Sequence, residues 1–333
     1  MQWTSSEVGE STLELFVVDS GGTRVPVGED INPADQSLLV DFSRWPVGDY
    51  EIEADLVPGP IVFSPGPVSV TAGQIDVENE LFSISTRADV GEFESITIAG
   101  FIIKGDTEKC IVIRGRGESV ALPDGVPKLQ NPTLTLKQGS TTIDYNDDWL
   151  AHPSSSIIQG LGMAPEAASD AALYTCLAPG PYSALLRGRS GTALGTGIVE
   201  VVDADRGSPY LFSLSTRARV GPRAKLVIAG FIIQGEQPRE VLIRARGPSV
   251  NAASTLANPQ LTLKQGAVTL VENDNWKEAA NWQDIQATGA APAIDEESAI
   301  LIVLEPGAYT ALFRALDASY GTGIVEVIDL GGR

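Results

Sequence analysis

The sequence predicts an all-β protein of three consecutive antiparallel β-sandwich domains, Ig-like or jelly-roll-like, the last two an internal repeat. Three observations predict it. The segment from Leu81, LFSISTRADVGEFESITIAGFIIKGDTEKCIVIRGRGESV, returns from Leu211 as LFSLSTRARVGPRAKLVIAGFIIQGEQPREVLIRARGPSV, and such self-similarity marks a repeated structural unit. Within the repeats Leu134 and Leu136 alternate with Thr133, Thr135 and Lys137, the period of a strand with one buried face. Finally, 34 Gly and 21 Pro cut the chain into short runs, and many short strands between turns build sandwiches.

Residues 1–80 are expected to form an acidic Ig-like sandwich from TLELFVVD, a turn at Ser20 to Gly22, SLLVDF, DYEIEADL and PVSVTAG. An acidic connector, Asp76 to Glu80, leads into copy one at 81–207. There ITIAGFII, IVIRGR, NPTLTLKQG, ALYTCL and GTGIVEVVD read as strands, β-branched and bounded by Gly, Pro, Asn and Asp. Copy two, at 208–333, repeats them in order through NPQLTLKQG and GTGIVEVID. Helical signal is confined to Lys277 to Thr288 and its counterpart near Ser154 to Leu161, each at most a short helix or an irregular crossing between strands. Tyr50, Tyr182 and Tyr309 each follow a glycine by two residues just ahead of an apolar strand. That pattern resembles the tyrosine corner, in which the hydroxyl turns back to the backbone of the preceding connection, a structural role.

Composition excludes several classes of partner. With 23 Lys+Arg against 43 Asp+Glu the net charge is −20, which argues against nucleic acid and anionic membrane surfaces. The acidity is uneven, since the first 80 residues hold 15 acidic and 2 basic residues; a solvated acidic face is the preferred reading. No run approaches the ~18 apolar residues of a membrane span. The opening MQWTSSEVGE has neither the basic nor the apolar region of a secretory signal, so a signal is expected to have been removed.

Each candidate site has a structural reading beside the functional one. The loops Asn146-Asp147-Asp148-Trp149 and Asn273-Asp274-Asn275-Trp276 gather hard oxygens. Asp147, Asp148 and Asp274, with backbone carbonyls and Asp170 or Glu297, are candidate Ca2+ ligands. The competing and preferred reading is an Asx turn that ends a strand, with Trp149 and Trp276 plugging the core beneath it. Exposed, either Trp would be a stacking platform for a glycan. Cys110 and Cys176 align with Glu240 and Val303 in copy two, so a catalytic thiol is not expected, and the pair is left open between a disulfide and free thiols. His152, the only histidine, aligns with Ala279 and reads as a surface-loop residue. Arg114 and Arg116, like Arg244 and Arg246, share a strand face, where pairing with carboxylates is preferred to binding an anion. The GxG at Gly195 and Gly321 is followed by a strand instead of a helix, which lacks the phosphate-cradling geometry.

The ordered set LFSxSTRAxVG, IAGFIIxG, IRxRGxSV, NPxLTLKQG, NDxW and GTGIVEVxD resembles a β-sandwich repeat of large secreted and surface proteins of bacteria. The stretch from LTLKQG through NDxW to the PGxY strand is similar to the pre-peptidase C-terminal domain, an accessory module of secreted hydrolases. The resemblance implies an extracellular or cell-surface location, a non-catalytic role and neighbouring sandwich domains. It brings no catalytic residues. The expectation is a structural or adhesive segment, a stalk, surface or filament component whose partners are other protein domains, copies of itself or a surface glycan. The alternative is a calcium-dependent or carbohydrate-binding accessory module of a secreted enzyme. An enzyme would need convergent polar groups at a junction such as Asp203 to Tyr210, and no pattern there predicts one.

Overall fold

The computed structural model describes residues 12–18, 24–31, 48–57, 61–63, 67–70, 80–91, 96–189, 194–205, 210–221, 225–317 and 319–331, with backbone alone before residue 81 and at residue 210. The chain divides into two compact units, Met1–Ile75 and Asp76–Arg333. In the first, β1 (Thr12–Val18), β2 (Arg24–Ile31), β3 (Gly48–Val57), β4 (Ile61–Phe63) and β5 (Pro67–Val70) form one antiparallel sheet, with β1, β4 and β5 all pairing with β3. β2, RVPVGEDI, is a strand beyond the runs TLELFVVD, SLLVDF, DYEIEADL and PVSVTAG. SLLVDF lies outside the described residues, as does the side chain of Tyr50, whose backbone belongs to β3.

The second unit is nearly all β. Copy one supplies β6 (Glu80–Val90), β7 (Thr97–Lys104), β8 (Lys109–Arg116), β9 (Pro132–Gln138), β10 (Thr141–Asn146), α1 (Ser155–Gly160), β11 (Ala171–Leu177), β12 (Gly180–Gly188) and β13 (Gly195–Asp203). Copy two supplies β14 (Tyr210–Val220), β15 (Val227–Gln234), β16 (Arg239–Arg246), β17 (Pro259–Gln265), β18 (Val268–Asn273), α2 (Trp282–Ala287), β19 (Ser298–Leu304), β20 (Gly307–Ala315) and β21 (Gly321–Asp329). These strands make two eight-stranded antiparallel sheets, β10-β9-β12-β7-β14-β21-β16-β19 and β11-β8-β13-β6-β15-β20-β17-β18.

That order corrects the expectation of a separate sandwich for each copy. Every sheet is half copy one and half copy two, so the copies share one sandwich. The physical reason is that the first two strands of each copy would otherwise be unpaired sheet edges, and each finds its partner in the other copy. The two seams are equivalent in register. β14 pairs with β7 through Leu214↔Phe101 and Thr216↔Ala99, and β15 pairs with β6 through Phe231↔Ile84 and Ala229↔Thr86. Exchanging the copies exchanges the sheets, an approximate two-fold relation about an axis along the strands. Where β6 faces β14, Thr216 Oγ1 donates to Thr86 Oγ1 at 2.7 Å, both side chains fully buried.

Between the sheets a single apolar cluster runs from Leu81 and Ile84 through Phe101, Phe231 and Phe313 to Val325 and Val327. Outside this core, short segments cover part of each sheet's outer face. In copy one Trp149, Ile158 and Ala172 pack together. In copy two Trp276 and Ile285 close over Leu242, Ala299, Leu301 and Ile328. Strands buried on both faces need not alternate, which explains the unbroken apolar runs IVI in β8 and AILI in β19. No helix among the described residues is long and apolar enough to cross a membrane.

Candidate functional site

The NDxW loops are built from the end of an outer strand. Asn146 closes β10; its Nδ2 donates to Asp148 O at 3.1 Å, and its Oδ1 accepts from Ala172 N at 2.9 Å. Asn273 repeats both bonds with Asn275 O at 3.0 Å and Ala299 N at 2.9 Å. The asparagine therefore makes a turn and ties it to the neighbouring edge strand. A 3-10 turn follows in each copy, Trp149–Ala151 and Trp276–Glu278. Trp149 is 6% and Trp276 4% exposed, so neither ring offers a stacking face to a glycan. They plug the outer-face clusters instead of the main core, because the loop crosses the outside of the sheet.

The candidate calcium ligands of copy one face a cation that belongs to the chain. Arg189 sets Nη2 3.3 Å from Asp147 Oδ2 and Nη1 3.5 Å from Asp148 Oδ2. Copy two carries Leu316 at the aligned position, and Asp274 lines a groove of about 470 Å³ with Glu272, Glu278 and Asn281. Among the described residues no group of three His, Cys, Asp or Glu side chains is placed to hold a metal ion. In copy one the aligned space receives His152, which lies 2.7 Å from Ser154 Oγ and 3.4 Å from Asp144 Oδ1. The expected surface-loop histidine is thus a latch between the turn and β10.

Asp170 and Glu297, read from sequence as accessory calcium ligands, do different work. Both carboxylates are fully buried. Asp170 Oδ1 accepts from Gly117 N at 2.8 Å and Glu118 N at 3.1 Å, while Oδ2 accepts from Ser119 Oγ. Glu297 Oε1 accepts from Gly247 N at 2.9 Å and Ser249 N at 3.0 Å, and both its oxygens accept from Ser249 Oγ. Each carboxylate nests in the loop that leaves β8 or β16. The sequence signal for this role was the pairing of RGESV with Asp170 and of RGPSV with Glu297, which is visible only when the copies are compared.

The paired arginines, their glutamates and the corner tyrosines also turn inward on the scaffold. Glu200 on β13 pairs with Arg114 at 2.8 Å and Arg116 at 3.0 Å, and Glu326 on β21 pairs with Arg244 at 2.6 Å and Arg246 at 3.9 Å. Tyr182 Oη donates to Ala178 O at 2.8 Å and Tyr309 Oη to Glu305 O at 2.7 Å. Burial, then the neighbouring carboxylate of Glu108 or Glu305, raises the pKa of these two phenols. Cys110 and Cys176 are directly opposed on β8 and β11 and form a disulfide. Their counterparts Glu240 and Val303 are opposed in the same register, so the two positions face one way.

At the seam between copies, Lys225 pairs with Asp89 in a cleft of about 470 Å³ that also holds Arg219 and Tyr320. The glycines of both GTG segments lie within β13 and β21. Comparison with protein-family models gives no match, and comparison with curated proteins gives none either.

Proposed function

We propose that this chain is a non-catalytic, extracellular structural or adhesive segment of a bacterial surface or secreted protein. The observation that carries the reading is where the polar chemistry goes. Asp170, Glu297, Glu200, Glu326 and the tyrosine-corner hydroxyls all bind the scaffold itself. The disulfide supports an oxidising compartment, because such bonds persist outside the reducing cytosol. The repeat's resemblance to surface modules agrees with both.

Edge pairing into a filament is the less favoured form of this role. Tyr174 N on β11 donates to Ser154 Oγ at 3.3 Å, and Leu301 O on β19 accepts from Asn281 Nδ2 at 3.0 Å, so a side chain occupies a mid-strand backbone group on each edge. The other two edges, β10 and β18, are each interrupted by a bulge, and capping and bulging are the usual protections against edge association. A stalk or adhesive unit needs no free edge. The test is deletion of this segment in the source cell. Loss of attachment or of display of neighbouring domains, with secreted hydrolytic activity unchanged, is the expected result; loss of a catalytic activity would overturn the reading.

A further inference from the structure

β8 opens at Lys109 and β13 ends at Asp203, and their antiparallel pairing brings both to one end of the sheet. Lys109 Nζ lies 2.6 Å from Asp203 Oδ2, the two side chains 1% and 0% exposed. The same nitrogen is 3.1 Å from Oδ1 of Asp205, whose side chain is 45% exposed. Asp205 is fixed there, since its Oδ2 accepts from Cys110 N at 3.0 Å and its own N donates to Asp203 Oδ1 at 3.0 Å. An amine and two carboxylates therefore converge, one carboxylate dry and one open to water.

Copy two is an internal control. Arg239 replaces Lys109 and grips Asp329, the counterpart of Asp203, through two bonds of 3.1 and 2.7 Å. Gly331 stands where copy one has Asp205, and a Cβ there would lie 2.5 Å from Arg239 Nη2. A side chain at Gly331 would crowd the guanidinium and sit on left-handed backbone (φ 36°), whereas copy one carries the carboxylate of Asp205 there. Arginine also remains charged and forms no amide under these conditions. The nucleophilic amine and the second carboxylate occur together or not at all.

We propose that Lys109 and Asp203 condense into an intramolecular amide, with Asp205 as the proton shuttle. In the proposed step a proton passes across the 2.6 Å contact from Nζ to the Asp203 carboxylate, so that an amine meets a carboxylic acid. Nζ attacks Cγ of Asp203. Asp205 takes a proton from the nitrogen and returns it to the departing hydroxyl, the C–O bond breaks as the C–N bond is kept, and one water leaves. No oxidant, activator or cofactor enters the balance. The amide joins β8 to β13 beside the disulfide that joins β8 to β11, and the proposal stands whether or not the functional reading above does.

Intact mass spectrometry of the full chain tests it. The expected mass is that of the sequence with its disulfide, less one water, and proteolysis after reduction should yield a branched peptide joining Lys109 to Asp203. Asp205→Ala leaves the buried pair in place and should retain the full mass with an unchanged circular dichroism spectrum. Asp203→Ala should retain its full mass too. A folded wild-type chain that keeps the water after prolonged incubation overturns the bond, and Asp205→Ala condensing at the wild-type rate overturns the shuttle.

Discussion

Asp170 shows how much a single side chain can carry in this fold. Its fully buried carboxylate accepts three donors from the 117–119 loop, and removing it strands the buried Gly117 N–H and unties the rest of the loop. Asp170→Ala is expected to cost on the order of 3 kcal/mol in urea unfolding, because buried donors left unmade are more costly than the net worth of the bonds. Asp170→Asn, which keeps one acceptor, should lose less. Tyr182 and Tyr309 make a pH-dependent contribution instead. Burial raises both phenol pKa values above the ordinary value, so above about pH 10 the unfolded chain ionises first and binds fewer protons than the native chain. Stability from these groups is complete below that pH and falls as pH rises through the native values. Thermal melts from pH 9 to pH 11.5 should therefore show a steeper alkaline decline in the wild type than in Tyr182→Phe/Tyr309→Phe, and parallel curves would contradict the assignment.

Among the elements, β8 is fastened on both sides, to β11 by the Cys110–Cys176 bond and to β13 by the Lys109–Asp203 contact. Reducing the disulfide should lower stability by about 2 to 4 kcal/mol through the freed unfolded chain. The check is a guanidinium titration with and without reductant, with Cys110→Ser/Cys176→Ser expected to match the reduced wild type. Strand identity was legible where one face is solvated: LTLKQG alternates, and β9 and β17 follow it. It was legible in β8, β11 and their counterparts only as apolar runs, because Trp149 and Trp276 cover a second face that local periodicity does not reveal. The roles of Asp170, Glu297 and Arg189 were not legible, since each depends on a partner that only pairing brings near. Aligning copies exposed conserved residue types but gave no signal for which strands face across the seam.

At the scale of the second unit, the shared sandwich changes what the repeat means. Two copies in series would each have a core and could unfold one after the other. Here the β6–β15 and β7–β14 seams have registers as complete as the pairings within either copy, and the apolar cluster crosses them without interruption. The charges at the seam differ between copies, with Asp89 of copy one bonded to Lys225 of copy two while Arg219 stands at the position aligned with Asp89. Unequal, complementary charges favour pairing of unlike copies over pairing of like ones. Separating the copies would expose four strand edges and open the shared core at once, so an intermediate with one copy folded is expected not to accumulate. Calorimetry of residues 76–333 should therefore give a single transition whose calorimetric and van't Hoff enthalpies agree, the signature of all-or-none unfolding. Asp170→Ala in copy one and Glu297→Ala in copy two should each shift that whole transition to lower temperature, because either copy's loss is transmitted through the common sheets. Two resolved transitions, each moved by only one of these substitutions, would mean that the copies fold separately and that the seams contribute little.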